Sequence, residues 1–202
     1  MARTNLSIDR KVFEEFATQV EKRNMTMFAY ANNSLSVISK IAAEGGDPAS
    51  LYSIWRVTNI LKEADAIMLP SDFLEDLLEE LYVSDKQRLL ERFRDLGVSL
   101  VGFVKIFADD VTSLAALAKE FSFFVPIKHF SLTKGLNGDI QVDVVGAGKR
   151  MAAAECSSEF LRGILSGYGY SVTKEDLHPG VMRFWAQRKS LPRAEVFSAA
   201  EL

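Results

Sequence analysis

The sequence has 202 residues, 48% of them apolar and 25% charged, with a formal net charge of −3. This is ordinary globular composition, and the length accommodates one full domain or a small one plus a medium one. It argues against binding nucleic acid through a generally basic surface, because beyond Gly45 there are 18 Lys and Arg against 22 Asp and Glu.

The single cysteine, Cys156, rules out an intrachain disulfide and fits a reducing compartment. No apolar stretch follows a basic start, so no secretory signal is expected. The most apolar run, residues 98–108, is too short to span a bilayer and contains Lys105. Together these features predict a soluble, cytoplasmic protein with no membrane partner.

Residues 3–8 alternate strictly. Arg3, Asn5 and Ser7 fall on one face, and Thr4, Leu6 and Ile8 on the other. That is the period of a short strand with one polar and one apolar side. Two helical patterns follow with no second strand, so the backbone groups of this strand have no local partner. The nearest identical strand belongs to a second copy, which predicts a symmetric dimer. The first helix spans residues 10–23, capped by Asp9, with Val12, Phe13, Phe16, Ala17 and Val20 as its apolar stripe. Asn24 tolerates the left-handed conformation that ends helices. Thr26 caps a second helix to about Ala43, with Phe28, Ala31, Leu35, Ile38 and Ile41 as apolar positions, stopped by Gly45 and Gly46.

Strand, helix, tight turn and helix within residues 1–45 resemble the ribbon-helix-helix family of DNA-binding proteins. The likeness is carried by residues 3–8, the Phe13/Phe16/Val20 stripe and the Lys22-Arg23-Asn24-Met25-Thr26 turn. It implies that two strands pair antiparallel across a dimer and enter the major groove. Arg3, Asn5 and Ser7 would then face base edges, and the backbone N–H groups of Thr26 and Met27 would face a phosphate. Residues 1–45 hold six Lys and Arg against five Asp and Glu, a net charge of +1. Phosphate neutralisation usually supplies much of DNA affinity. The alternative is therefore an antitoxin-like or other protein-interaction module, in which this segment only dimerises.

Gly45-Gly46-Asp47-Pro48 marks the boundary between a module at residues 1–46 and a domain at residues 47–190. The domain opens with a helix over residues 48–63. Ser71 then caps a helix to about Tyr82, whose carboxylates Asp72, Glu75, Asp76, Glu79 and Glu80 read as a solvated face. Ser84 caps a further helix over residues 85–96, ended by Gly97 and bearing Lys86, Arg88, Arg92 and Arg94. Residues 98–107 read as a buried helix, and Asp109 or Asp110 begins another to about Glu120.

From Phe121 the period changes to two. Residues 124–133 and 139–145 read as strands joined at Asn137-Gly138, a pair that favours a tight hairpin turn. A helix follows within residues 151–168, with Ser157 or Ser158 as its cap. Residues 170–174 and 181–187 read as two more strands, and residues 191–202 as a tail. The fold class is α+β: the dimer module, a helical segment, and a domain with a mostly antiparallel sheet covered on one face. Its outline is similar to small-molecule-sensing domains of regulators.

No motif predicts an enzyme. Gly146-Ala147-Gly148-Lys149 lies between a strand and a helix, but Arg150 stands where a phosphate loop needs Ser or Thr. Cys156, His129 and His178 carry no local signature of thiol catalysis or of a zinc site. No catalytic residue, metal or cofactor is expected. The aromatic set Phe103, Phe107, Phe121, Phe123, Phe124, Phe130, Phe184 and Trp185 reads as core more than as a ligand pocket. The expected function is that of a homodimeric, sequence-specific transcriptional regulator. Its partners would be double-stranded DNA, a second copy of itself and possible small-molecule effectors.

Overall fold

The structure, a computed structural model, describes residues 5–189. The chain divides into two units, Met1–Ser53 and Ile54–Leu202. In the first, the Asp9 carboxylate accepts from the backbone N–H groups of Lys11 and Val12 and caps α1 (Arg10–Lys22). Asn24 takes the left-handed conformation, φ 51°, and reverses the chain. Thr26 caps α2 (Met27–Ala43), its hydroxyl oxygen accepting from the Ala29 N–H at 3.2 Å. The Phe16 and Tyr30 rings, 4.9 Å apart, tie the two helices together. A single 3-10 turn, Pro48–Ser50, leads into α3 (Leu51–Glu63).

One expectation needs correction here. Residues 5–9 form no strand, and Arg3 and Thr4 lie outside the described residues. Among the described residues the N-terminal unit is a helical hairpin, and the expected N-terminal strand is not formed there. The physical reason is that a strand needs a neighbour for its N–H and C=O groups, and among the described residues this segment pairs with none.

The second unit is mixed α+β. Its elements after α3 are α4 (Ser71–Phe107), α5 (Val111–Phe121), β1 (His129–Lys134), β2 (Ile140–Val145), α6 (Met151–Gly167), β3 (Tyr170–His178) and β4 (Val181–Arg188). The sheet has the order β1-β2-β4-β3 and is antiparallel throughout. Alternate residues Ile140, Val142 and Val144 of β2 and Met182, Phe184 and Ala186 of β4 point to one face, where Val111 of α5 and Leu165 of α6 complete the core. The opposite face is polar, with Trp185 flanked by the Lys174 ammonium at 4.7 Å and the Arg183 guanidinium at 5.9 Å. The α4 helix packs on α6 through Leu78, Leu89, Ala153 and Cys156. A third cluster joins Ile60 of α3 to Ala108 and Leu117.

Three boundaries differ from the sequence reading. The expected helices over residues 71–107 form one element, bent where Asp85 leaves helical geometry (φ −156°, ψ 79°). The Asp85 carboxylate, rather than Ser84, caps the second arm by accepting from the Arg88 N–H. Gly97 does not end a helix. It sits inside α4 at the crossing with Gly163 of α6, where a Cβ on Gly97 would overlap the Phe160 carbonyl oxygen and lie 3.1 Å from the Gly163 Cα. The helix α6 starts at Met151 with no side-chain cap, and Ser158 is buried within it, donating to Glu175 at 2.9 Å. Residues 191–202, read as a tail, lie outside the described residues.

Candidate nucleic-acid interface

Of the five residues expected to meet DNA, Arg3 lies outside the described residues, and Asn5 and Ser7 are exposed in the segment before α1. Thr26 and Met27 stand where predicted, at the start of α2. The α2 hydrogen-bond ladder begins with the Tyr30 N–H donating to the Thr26 carbonyl. The N–H groups of Thr26 and Met27 therefore precede the first intrahelical donor, as anion-binding helix starts require. Within a single chain, nothing described brings Asn5 and Ser7 together with this helix start. Exposed Lys11 and Lys22 stand on α1. Arg10 is held by Glu14 at 2.9 Å, and Arg23 donates to Gln19 and stacks over the Tyr30 ring.

The apolar side chains of this unit are the feature the sequence reading underused. Val20 is its one buried side chain among the described residues. Leu6 is 68% exposed, and Ile8, Val12, Phe13, Leu35, Val37 and Ile38 are also exposed. Leu6 and Ile8 were placed on the inward face of a strand and Val12 and Phe13 on a helix stripe. Both patterns point to burial that the described residues of the N-terminal unit do not by themselves provide.

The Gly146-Ala147-Gly148-Lys149 loop is a strand-to-helix turn filled by its own chain. The Gly146 N–H donates to the Gly180 carbonyl at 2.8 Å, and the Lys149 N–H donates to the Glu75 carboxylate at 3.0 Å. Gly146 and Gly148 have φ of 106° and 72°. A Cβ on Gly148 would lie 2.6 Å from the Ala154 nitrogen. The acidic face of α4 is thus not simply solvated. Glu75 is buried against the loop, while Asp72 pairs with Lys149 at 2.7 Å and Asp76 with Arg150 at 2.5 Å. Their i, i+3, i+4 spacing, set beside the adjacent Lys149-Arg150 pair, was the available signal for this clasp.

The hydrogen bond from the Lys149 ammonium, followed by its charge, holds the Asp72 carboxyl below the usual carboxylate range. A depressed folded value contributes stability above the unfolded pKa of about 3.9, and the contribution is lost as pH falls through the folded value. Wild type is therefore expected to lose stability on acidification that Asp72→Asn does not. Urea midpoints measured against pH will show this, and the difference will shrink in high salt because both groups are exposed.

The remaining candidates separate in space. Cys156 is buried between α4 and α6, whereas His129 and His178 are exposed at strand ends and His178 pairs with Asp176 at 3.0 Å. Burial pushes the Cys156 thiol up to about 11. The thiol is accordingly expected to stay unmodified by an aromatic disulfide reagent at neutral pH until denaturant is added, a single release of chromophore that absorbance reads directly. Among the described residues no three His, Cys, Asp or Glu side chains converge as metal ligands. No described helix is long and apolar enough to cross a membrane.

The aromatic residues are divided among separate clusters. Phe130 and Phe184 are in the sheet core, Phe103, Phe107 and Phe121 pack against the cluster of Ile60, Ala108 and Leu117, and Phe123 is exposed. Two open clefts of about 230 and 400 Å³ have mixed linings, with Arg94, Val98 and Arg162 in the first and Lys86, Leu90 and Glu159 in the second. Comparison of the chain with protein-family models, curated proteins and solved structures gives no match.

Proposed function

We propose that the protein is a sequence-specific DNA-binding transcriptional regulator that acts as a dimer through its N-terminal unit. Its C-terminal unit senses a ligand or extends the oligomer. The observation that carries the reading is the incomplete core of the N-terminal unit. One buried side chain, Val20, cannot offset the conformational entropy of ordering two helices. A second copy supplies cover for Leu6, Ile8, Val12 and Phe13, and a strand partner for residues 3–8. Such a pairing sets Arg3, Asn5 and Ser7 on one outward face, and the start of α2 is available to a phosphate.

The test is selection of bound sequences from random DNA by purified protein, which should return a palindrome. A double Arg3→Ala, Asn5→Ala variant should remain dimeric and lose most of its sequence preference. Retained preference would remove the ribbon reading. The small net charge of +1 over residues 1–45 favours, as a second reading, a module that only dimerises. Its signature is an absence of DNA binding even at low salt, since phosphate contacts impose a steep salt dependence.

A further inference from the structure

The crossing of α4 on α6 also shapes the smaller cleft of the C-terminal unit. Gly97 and Gly163 let the two helices meet backbone to backbone, and this sets Arg94 of α4 beside Arg162 of α6, both within reach of Glu159. The start of β3 and Lys189, just past β4, form the other wall. The Lys189 N–H donates to the Gly169 carbonyl at 2.7 Å, which fixes that residue against the turn before β3. The space is about 230 Å³. That is below the ~300–1,000 Å³ of common ligand pockets, so it suits a small molecule rather than a peptide.

The charge of the lining is one-sided. Arg94, Arg162 and Lys189 line the cleft, and among the described residues no Asp or Glu does. Glu159 and Glu175 hold the guanidinium groups from outside the lining. The Arg94 Nε and Nη2 both reach one Glu159 oxygen, at 2.6 and 2.5 Å. Arg162 is less well served. Its Nη2 lies 2.8 Å from Glu175 and its Nε 3.5 Å from Glu159, and that Nε is buried with no hydrogen-bond partner. Lys189 meets no carboxylate among the described residues, and its ammonium donates to the Ser166 hydroxyl at 2.7 Å.

We propose that this cleft binds the carboxylate of a small organic acid. Arg162 and Lys189 take its oxygens, and its apolar body lies against Val98, Tyr170 and Val172. Three cations against two carboxylates leave one positive charge. A monoanion balances it, whereas a phosphate dianion exceeds it and is repelled by Glu159 and Glu175. A neutral ligand leaves the donors unpaired. The proposal deepens the ligand-sensing part of the proposed function and rests on that reading only for the ligand's regulatory role.

The test is calorimetric titration of the full-length protein with benzoate, in buffer free of carboxylate and phosphate. Wild type should bind with a Kd of about 1 mM or tighter. Lys189→Gln, which removes a charge, and Arg162→Lys, which keeps the charge but loses the fork, should each weaken binding about tenfold. Lys189 is exposed, so Lys189→Gln should keep the wild-type circular dichroism and carries the test alone if Arg162→Lys unfolds. Lys128→Gln, ahead of β1 at the opposite edge of the sheet, should bind like wild type. Benzyl alcohol and phenyl phosphate should bind about tenfold more weakly than benzoate, or worse. Absence of benzoate binding by the folded protein overturns the proposal, as does equal binding by wild type and Lys189→Gln. Benzyl alcohol or phenyl phosphate binding as tightly as benzoate also overturns it, by showing an apolar cleft or a general anion site. Each readout is made without DNA, so its failure is distinguishable from failure of the operator selection.

Discussion

Alanine at Gly97 or Gly163 is expected to destabilise the C-terminal unit by about 3 kcal/mol or more, among the largest effects a single methyl group can have. The two glycines let α4 and α6 meet backbone to backbone. A Cβ on Gly163 would overlap the Arg94 carbonyl oxygen and lie 2.9 Å from the Val98 nitrogen and 3.0 Å from the Gly97 Cα. Backbone atoms inside helices have no rotamer to escape into, so the helices must separate. Separation then opens the cluster of Leu78, Leu89, Ala153 and Cys156 that the crossing holds shut. Gly102 is the control, because a Cβ there meets nothing within 4 Å on the same helix. Alanine at Gly102 should be neutral or stabilise by up to ~1 kcal/mol through helix propensity. Urea unfolding of the three variants reads the contrast, and equal midpoints for all three would refute the close crossing.

Phe184→Ala is expected to cost about 3–5 kcal/mol, the range for deleting a buried aromatic side chain. Phe184 is 0% exposed and lies opposite Val142 in the central strand pair. Its neighbour Trp185 is the comparison. It points to the other face of the sheet, between Lys174 and Arg183, and is only partly buried. Trp185→Ala should therefore cost markedly less despite removing a larger ring. Chemical denaturation of both variants tests the sidedness of the sheet. A larger loss at position 185 would show that the open face is covered in solution.

The sequence announced those features that depend on neighbours along the chain. Asp9 and Thr26 cap the helices they were expected to cap. Asn24 takes its left-handed turn, and Asn137-Gly138 makes the β1–β2 hairpin with Gly138 at φ 78°. The alternation of residues 140–144 gave the buried face of β2. What failed depends on distant contacts. Gly97 looks like a helix stop by composition, and only the position of Gly163 reveals it as a crossing point. Ser158 resembles a cap until Glu175 claims its hydroxyl. The strand read from residue 124 starts only at His129, since its extent is set by pairing with β2. The candidate DNA-contact residues rest on a pattern alone: Asn5 and Ser7 are exposed ahead of α1, and nothing described brings them together with the start of α2.

The turns at residues 146–149 and 179–180 are stitched to one another and to α4. The Gly146 N–H donates to the Gly180 carbonyl, the Gly180 N–H to the Gly148 carbonyl at 2.5 Å, and the Lys149 N–H to the buried Glu75. In heavy water these three amides should trade their protons as slowly as those of the surrounding helices and strands, although they sit in turns. They should also be released together, so that loosening the start of α4 is felt at the far end of the β3–β4 hairpin.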